Sequence, residues 1–172
     1  HMFKESLPST PIDSQHNVLG NLDKESAKLL NQSHSWHNVF YEEIIRVFPE
    51  RLFSVLYASK MGRPNYPVRF LVGMLILKEA HDWTDEQLFE QIRFNLKVRW
   101  ALGFRNLTDV IPSTSTYYAF KWSLYDHAER TGEDLLEKAF EQISWQQIEK
   151  YKISGKDFRM DSKLYNSNIA TG

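Results

Sequence analysis

The sequence predicts an all-α fold, a multi-helix domain with a helix-turn-helix-like unit, ending in one strand. Three observations carry this expectation. Apolar residues recur at helical spacing, residues that cap helix ends punctuate those stretches, and a switch to period-two alternation comes at Asp157–Asp161. The expected organisation is a tag scar and arm over 1–20, a helical domain over 21–155, and the strand segment over 156–172.

Taken in chain order, His1-Met2 reads as the scar of a removed tag, and residues 3–20 as a loose arm or an extended segment lying on the body. A helix is expected near Asp23–Gln32. A second spans Trp36–Phe48, with Val39, Phe40, Ile44 and Val47 turned inward. Pro49 suits the first turn of a short helix reaching about Ala58, with Leu52, Phe53, Leu56 and Tyr57 on one side. Gly62-Arg63-Pro64 and Pro67 make a stiff extended connector, because a residue before proline is pushed out of the helical region.

Val68–Ala80 is apolar nearly all the way round, the pattern of a central helix buried on several sides. Thr84 and Gln87 fit a capping box, with Trp83 and Leu88 at the hydrophobic-staple positions, so a helix starts at Asp85 and buries Leu88, Phe89 and Ile92. A further helix, Leu96–Leu102, is stopped by Gly103. After Pro112, the run Ser113-Thr114-Ser115-Thr116 offers N-caps for a helix ending near His127. The last helix spans about Gly132–Lys150, opened by Thr131, with Leu135, Leu136, Ala139, Phe140 and Ile143 inward.

Composition narrows the function classes. The 172 residues contain no cysteine, which removes disulfide frameworks and thiolate zinc sites. The longest apolar run, Phe70 to Leu77, is far short of the roughly 20 residues of a membrane span, and no signal-peptide order opens the chain, so a soluble intracellular protein is expected. A net charge of −1 argues against a uniformly basic nucleic-acid coat. Its distribution is uneven: Lys/Arg against Asp/Glu is 5 to 7 over residues 1–59, 9 to 6 over 60–125 and 7 to 9 over 126–172. His34 and His37 share a helical face, but without a third ligand they read as solvated. Trp36, Trp83, Trp100, Trp122 and Trp145 recur at no fixed period and read as packing anchors, though any exposed one could stack on a base.

Read alone, Asp161 followed by Ser162 is the pattern of a turn or cap. Its company is more specific. Gly62-Arg63-Pro64 with Pro67, the apolar helix, His81 to Leu88, Arg99 to Phe104, Pro112 to Lys121 and Met160-Asp161-Ser162-Lys163 with Asn168 follow one another in an order that resembles the N-terminal part of bacterial insertion-sequence transposases of the DDE class. The resemblance covers about residues 36–172 and leaves the first 35 unexplained. Family members often have Pro-Asp where this chain has Pro112-Ser113.

The resemblance implies a helical region that holds transposon ends, followed by an RNase H-like catalytic domain whose first strand carries the first acid of a metal-binding triad. Asp161 matches that acid, as catalytic residue and as Mg²⁺ ligand in the complete protein. Two divalent ions would activate an attacking hydroxyl and stabilise the leaving oxygen in an in-line phosphodiester displacement. The second Asp and the Glu are expected beyond Gly172, so the chain reads as cut after the first catalytic strand, inactive by itself and without a cofactor.

The expected partners are DNA, as the transposon terminal inverted repeats, and further copies of the chain in a homo-oligomer; the expected compartment is the bacterial cytoplasm. The DNA-binding candidates are Arg63, Arg69, Arg93, Lys97, Arg99, Arg105, Thr114, Thr116, Tyr117 and Lys121. Helices over 85–94, 96–102 and 115–127 would form the helix-turn-helix-like unit and present the last four of these to a groove or backbone. Alternatively the hydroxyls merely cap and the aromatics are core. Two rival functions stay open, a helix-turn-helix transcriptional regulator and a structural dimerisation module.

Overall fold

The computed structural model describes residues 3, 5, 6, 15–57 and 66–143. Asp161, the strand at 157–161, Gly62-Arg63-Pro64 of the connector, Trp145 and the end of the last expected helix lie outside the described residues. Among the described residues the architecture is helical and contains no sheet, only an isolated antiparallel bridge between Asn17 and Asn106. The elements are α1 (Lys24–Leu30), α2 (Trp36–Phe40) running into a π turn (Tyr41–Ile45), a 3-10 segment (Glu50–Tyr57), α3 (Val68–His81), α4 (Asp85–Phe94), α5 (Leu96–Leu102), α6 (Thr114–Thr131) and α7 (Leu135–Gln142).

The organising element is α3. Ten consecutive residues, Val68 to Leu77, are buried, so this helix has no solvent face over nearly three turns. Such a helix needs neighbours on every side, and α4, α5, the π turn and the 3-10 segment supply them. Close approach is set by Gly73, where a Cβ would stand 2.6 Å from Ile45 Cδ1 and 2.7 Å from Leu102 Cδ2. One contiguous apolar core runs from Phe40 to Ile143, and a smaller cluster of Val18, Leu30 and Trp100 joins α1 to α5.

Capping residues fix most boundaries where the sequence expects them. Thr84 accepts from Gln87 N–H at 3.1 Å while Gln87 Oε1 accepts from Thr84 N–H at 2.9 Å, the reciprocal capping box. Ser113 Oγ accepts from Thr116 N–H at 3.1 Å and opens α6. Gly103 closes α5 at φ 91, and Asp82, one of the few residue types that tolerates it, closes α3 at φ 54.

Three expectations about the helices need correction. The segment after α2 is not a continuous α-helix: Arg46 N–H reaches Tyr41 O at 2.8 Å, an i→i+5 bond that inserts an extra residue. The register slips, so Ile45 and Phe48 turn inward and Val47, expected inside, is 44% exposed. α6 runs a turn past His127, to Thr131, because Gly132 at φ 73 closes it. Thr131 therefore ends α6 instead of opening α7, which is capped by Asp134 accepting from Glu137 N–H at 3.1 Å.

The described part of the N-terminal segment lies on the body. Val18 N–H donates to Arg105 O and Leu107 N–H to His16 O, both at 2.8 Å, and Val18 is buried. Further up the chain Ser6 donates through its N–H and hydroxyl to Glu50, and Phe3 stacks on Tyr57 with centroids 6.2 Å apart.

Two substitutions probe the boundaries by different physics. Gly103→Ala forces a side chain into left-handed backbone and against Tyr41 Cε2 at 2.8 Å, and is expected to cost about 1–3 kcal/mol. Thr84→Ala removes one cap and should cost about 1 kcal/mol. Urea denaturation measures both, with unchanged m-values expected if the change lies in the native state.

Candidate nucleic-acid interface

The helices expected to form the DNA-binding unit are present, and polar contacts lock them together. Asp85, at the first turn of α4, accepts from the Tyr117 hydroxyl at 3.1 Å and the Tyr118 hydroxyl at 2.7 Å. Lys78 Nζ of α3 stands 3.7 Å from the same carboxylate. Tyr117 also meets Phe89 edge-on at 5.5 Å. One acid therefore ties the end of α3, the start of α4 and the start of α6. The hydrogen bond to the Asp85 carboxylate, with burial, pushes the Tyr118 hydroxyl up to about 12, and burial with Asp85 raises Tyr117 too.

A second lock closes the other end of α4. The buried Arg99 guanidinium donates from Nη1 to the carbonyls of Ile92 and Arg93, at 3.4 and 3.5 Å, and from Nη2 to those of Asn106 and Leu107, at 3.1 and 3.3 Å. The last carbonyls of α4 lack intrahelical partners, and a cation there is also favoured by the helix dipole. Burial lowers the Arg99 pKa, with Asp109 opposing. Between α4 and α5 stands a single residue, Asn95, which does two jobs. Its Oδ1 accepts from Lys97 N–H at 3.0 Å and Val98 N–H at 3.4 Å, and its Nδ2 donates to Gln91 Oε1 at 2.8 Å.

These locks decide which candidate residues can meet DNA. Arg69 is buried: its Nε lies 3.2 Å from Glu50 Oε2 and its Nη1 donates to Ile45 O at 2.9 Å and Arg46 O at 3.2 Å. It completes the π turn from inside. Arg99 closes α4 as above. Arg105 is half-buried, held 3.9 Å from the Trp100 ring centre and 4.5 Å from that of Tyr41, and burial pushes its pKa down to about 10. Tyr117 and Lys121 have no exposed surface. For Arg69, Arg99, Tyr117 and Lys121 the expected contact to a duplex is corrected: their polar ends face the interior.

The outward-facing candidates are fewer. Arg93 and Lys97 are exposed, as is Thr114, while Thr116 is half-buried and shares hydroxyl contacts with Ser113 at 2.9 Å. Five of the seven residues of α5, Val98 to Leu102, are buried, so α5 cannot lie in a groove as a reading helix. The outward side of α6 carries Ala119, Trp122, Glu129 and Arg130, the last paired with Asp126 at 2.9 Å. Among the described residues, Lys24, Lys28, Arg93 and Lys97 are the exposed cations without an ion pair.

One exposed residue escaped the sequence reading. Phe94, the last residue of α4, is 79% exposed. The signal was there, since it falls two positions after Ile92 and so about 200° round the helix from the Leu88, Phe89, Ile92 stripe. His37 also differs from its solvated expectation. It is buried, its Nε2 lies 2.6 Å from Leu30 O, burial lowers its pKa, and it closes the end of α1. No cluster of His, Asp or Glu among the described residues could hold a metal ion, and no helix there is long and apolar enough to cross a membrane.

A family model described as Transposase domain (DUF772) matches residues 27–122, more than half of the 172 residues. The chain belongs to this family. No curated protein and no solved structure matches it. The matched span of the transposase domain runs from α1 into α6 and contains the Asp85 tie, the Arg99 lock and the α4–α5 corner.

Within the transposase domain Lys121 has the least comfortable position. Its Nζ has no hydrogen-bond partner and faces the rings of Tyr117 and Tyr118 at 5.1 and 5.5 Å. Burial holds its pKa below the ordinary lysine value of 10.5, against Asp85 and Glu79 and together with Lys78. Below its folded pKa the buried ammonium costs stability; as pH rises from there to 10.5 the unfolded chain binds more protons, and stability rises. Lys121→Met is therefore expected to stabilise the protein by about 1 kcal/mol at neutral pH. That advantage should shrink as pH climbs toward 10.5 in denaturation curves taken at a series of pH values.

Proposed function

We propose that this chain is the DNA-end-binding region of a DDE-class transposase that cuts and rejoins insertion-sequence DNA. The observation that carries the reading is the family match over residues 27–122. The order of motifs from Gly62-Arg63-Pro64 to Met160-Asp161-Ser162-Lys163 with Asn168 supports the finer class. In this reading the helical region holds terminal inverted repeats, and copies of the chain associate so that two ends are held at once. Asp161 supplies the first catalytic acid in the complete protein, where with two further carboxylates it would hold Mg²⁺, a hard cation suited to oxygen ligands. That ion's chemistry is activation of the attacking oxygen and stabilisation of the leaving one.

Exposure favours some of the described cations for phosphate contact in this reading. Among the described residues Arg69, Arg99 and Lys121 are turned inward, and Lys24 and Lys28 on α1 and Arg93 and Lys97 at the α4–α5 corner are the exposed cations without an ion pair. α1 and the corner are neighbours, since Leu96 packs on the same small cluster as Leu30 and Val18. A protein that neutralises few phosphates has a shallow salt dependence, with a log–log slope near −0.9 per contact.

The test is fluorescence anisotropy of the chain with labelled terminal-repeat duplex from 50 to 200 mM salt. Binding with a slope of about −2 or steeper is expected. No binding at any salt, together with a stable dimer, would instead favour a structural dimerisation role. In the complete transposase, Asp161→Asn should abolish Mg²⁺-dependent strand cleavage while leaving this binding unchanged.

A further inference from the structure

The α4–α5 corner is stiff and carries an aromatic ring outward. Asn95 is both the end of α4 and the cap of α5, and Arg99 holds the carbonyls of Ile92 and Arg93 from beneath. On this platform Phe94 is 79% exposed, the largest exposure among the big hydrophobic residues described. Exposing a Phe forfeits the burial free energy that aromatic residues usually contribute. Its neighbours in sequence and across the turn, Arg93 and Lys97, are exposed cations with no ion pair among the described residues. Phe94 lines a shallow depression with Glu90, Gln91, Asn95, Leu96 and Lys97. Glu90 stands one turn back on α4 and is not ion-paired to either cation.

We infer that Phe94 is a base-stacking contact: the α4–α5 corner receives an unpaired or terminal DNA base on its ring, with the flanking phosphates on Arg93 and Lys97. The inference deepens the DNA-binding reading above and rests on it. An apolar partner protein would use the ring but gain nothing from two unpaired cations beside it, whereas a nucleotide uses both. Stacking accepts every base because each has a π-face, so the corner would recognise strand ends or distorted duplex and not sequence. Arg93 and Lys97 then act as electrostatic guides, each removing one phosphate's counterions.

The experiment uses the full chain and a terminal-repeat duplex ending in an unpaired 2-aminopurine. Wild type should change the probe's fluorescence on binding. Phe94→Ala should lose that change and bind about tenfold more weakly, while Phe94→Tyr retains both. Arg93→Ala with Lys97→Ala should flatten the salt slope by about 2, and Glu90→Gln should tighten binding. Because these side chains are exposed, circular dichroism melts should match wild type. If Phe94→Ala binds with unchanged affinity and an unchanged probe signal, the stacking assignment is overturned and DNA binding elsewhere on the domain stands. If wild type binds no DNA, the parent reading fails and takes this one with it. If Phe94→Ala instead weakens self-association in sedimentation, with DNA affinity unchanged, the ring is a protein contact and the assignment is wrong.

Discussion

Short helices leave a large share of their backbone carbonyls without an intrahelical partner, and that constraint governs the interior of this protein. Each α-helix ends with four such groups. α1 and α5 have seven residues each, α4 ten, and α2 only five before the π turn. When the ends of such helices are packed inside a body, each carbonyl must be met by a donor that is also inside. The chain meets the need with side chains of high donor count. Arg69 reaches Ile45 and Arg46 O, Arg99 reaches four carbonyls on two segments, and Arg105 reaches Trp100 O. His37 and Asn38 together meet Leu30 O. A guanidinium suits the task because its donors fan out in a fixed plane and its charge opposes the negative end of the helix dipole.

The same constraint explains which parts of the fold were legible in the sequence. Two helix starts were, because a start is marked by one or two residues of distinctive type: Thr84 with Gln87 and Ser113 each accept the bond that their identity suggests. The central helix was legible because a stretch apolar on all sides admits only a buried place. The π turn was not. An i→i+5 bond leaves no compositional mark, and its effect, exchanging Val47 for Phe48 on the inner face, is visible only in the packed structure. The Gly132 assignment failed for a related reason: a glycine between two helices can end one or precede the next, and the left-handed φ of 73 decides it.

Of the candidate site, the sequence located its three helices and misjudged the facing of their charges. The excess of Lys and Arg over residues 60–125 looked like a surface to be covered by phosphate. In the structure Arg69, Arg99 and Lys121 from that excess are buried. Periodicity could have flagged Lys121, which lies four residues after Tyr117 and one after Phe120 on the inward side of α6. No pattern rule identifies Arg99, whose burial depends on where the 106–107 loop returns. An arginine that closes a helix and one that binds a phosphate have the same chemistry, and only the acceptor differs.

The distribution of charge among the described residues bears on how a near-neutral chain of the transposase-domain family could meet DNA. At physiological salt the screening length is about 8 Å, so a duplex responds to the cations within one or two side-chain lengths and not to a net charge of −1. Arg46, Arg51, Arg130 and Lys138 are each matched by an acid within 2.6 to 2.9 Å and contribute little field. Among the described residues Lys24, Lys28, Arg93 and Lys97 are not matched. Among the described residues these four cations would supply a modest electrostatic affinity, and a tighter hold on a DNA end would draw on a term that salt does not screen. Base stacking is such a term, and in the proposed reading the exposed Phe94, which follows Arg93 in sequence and shares its depression with Lys97, supplies it.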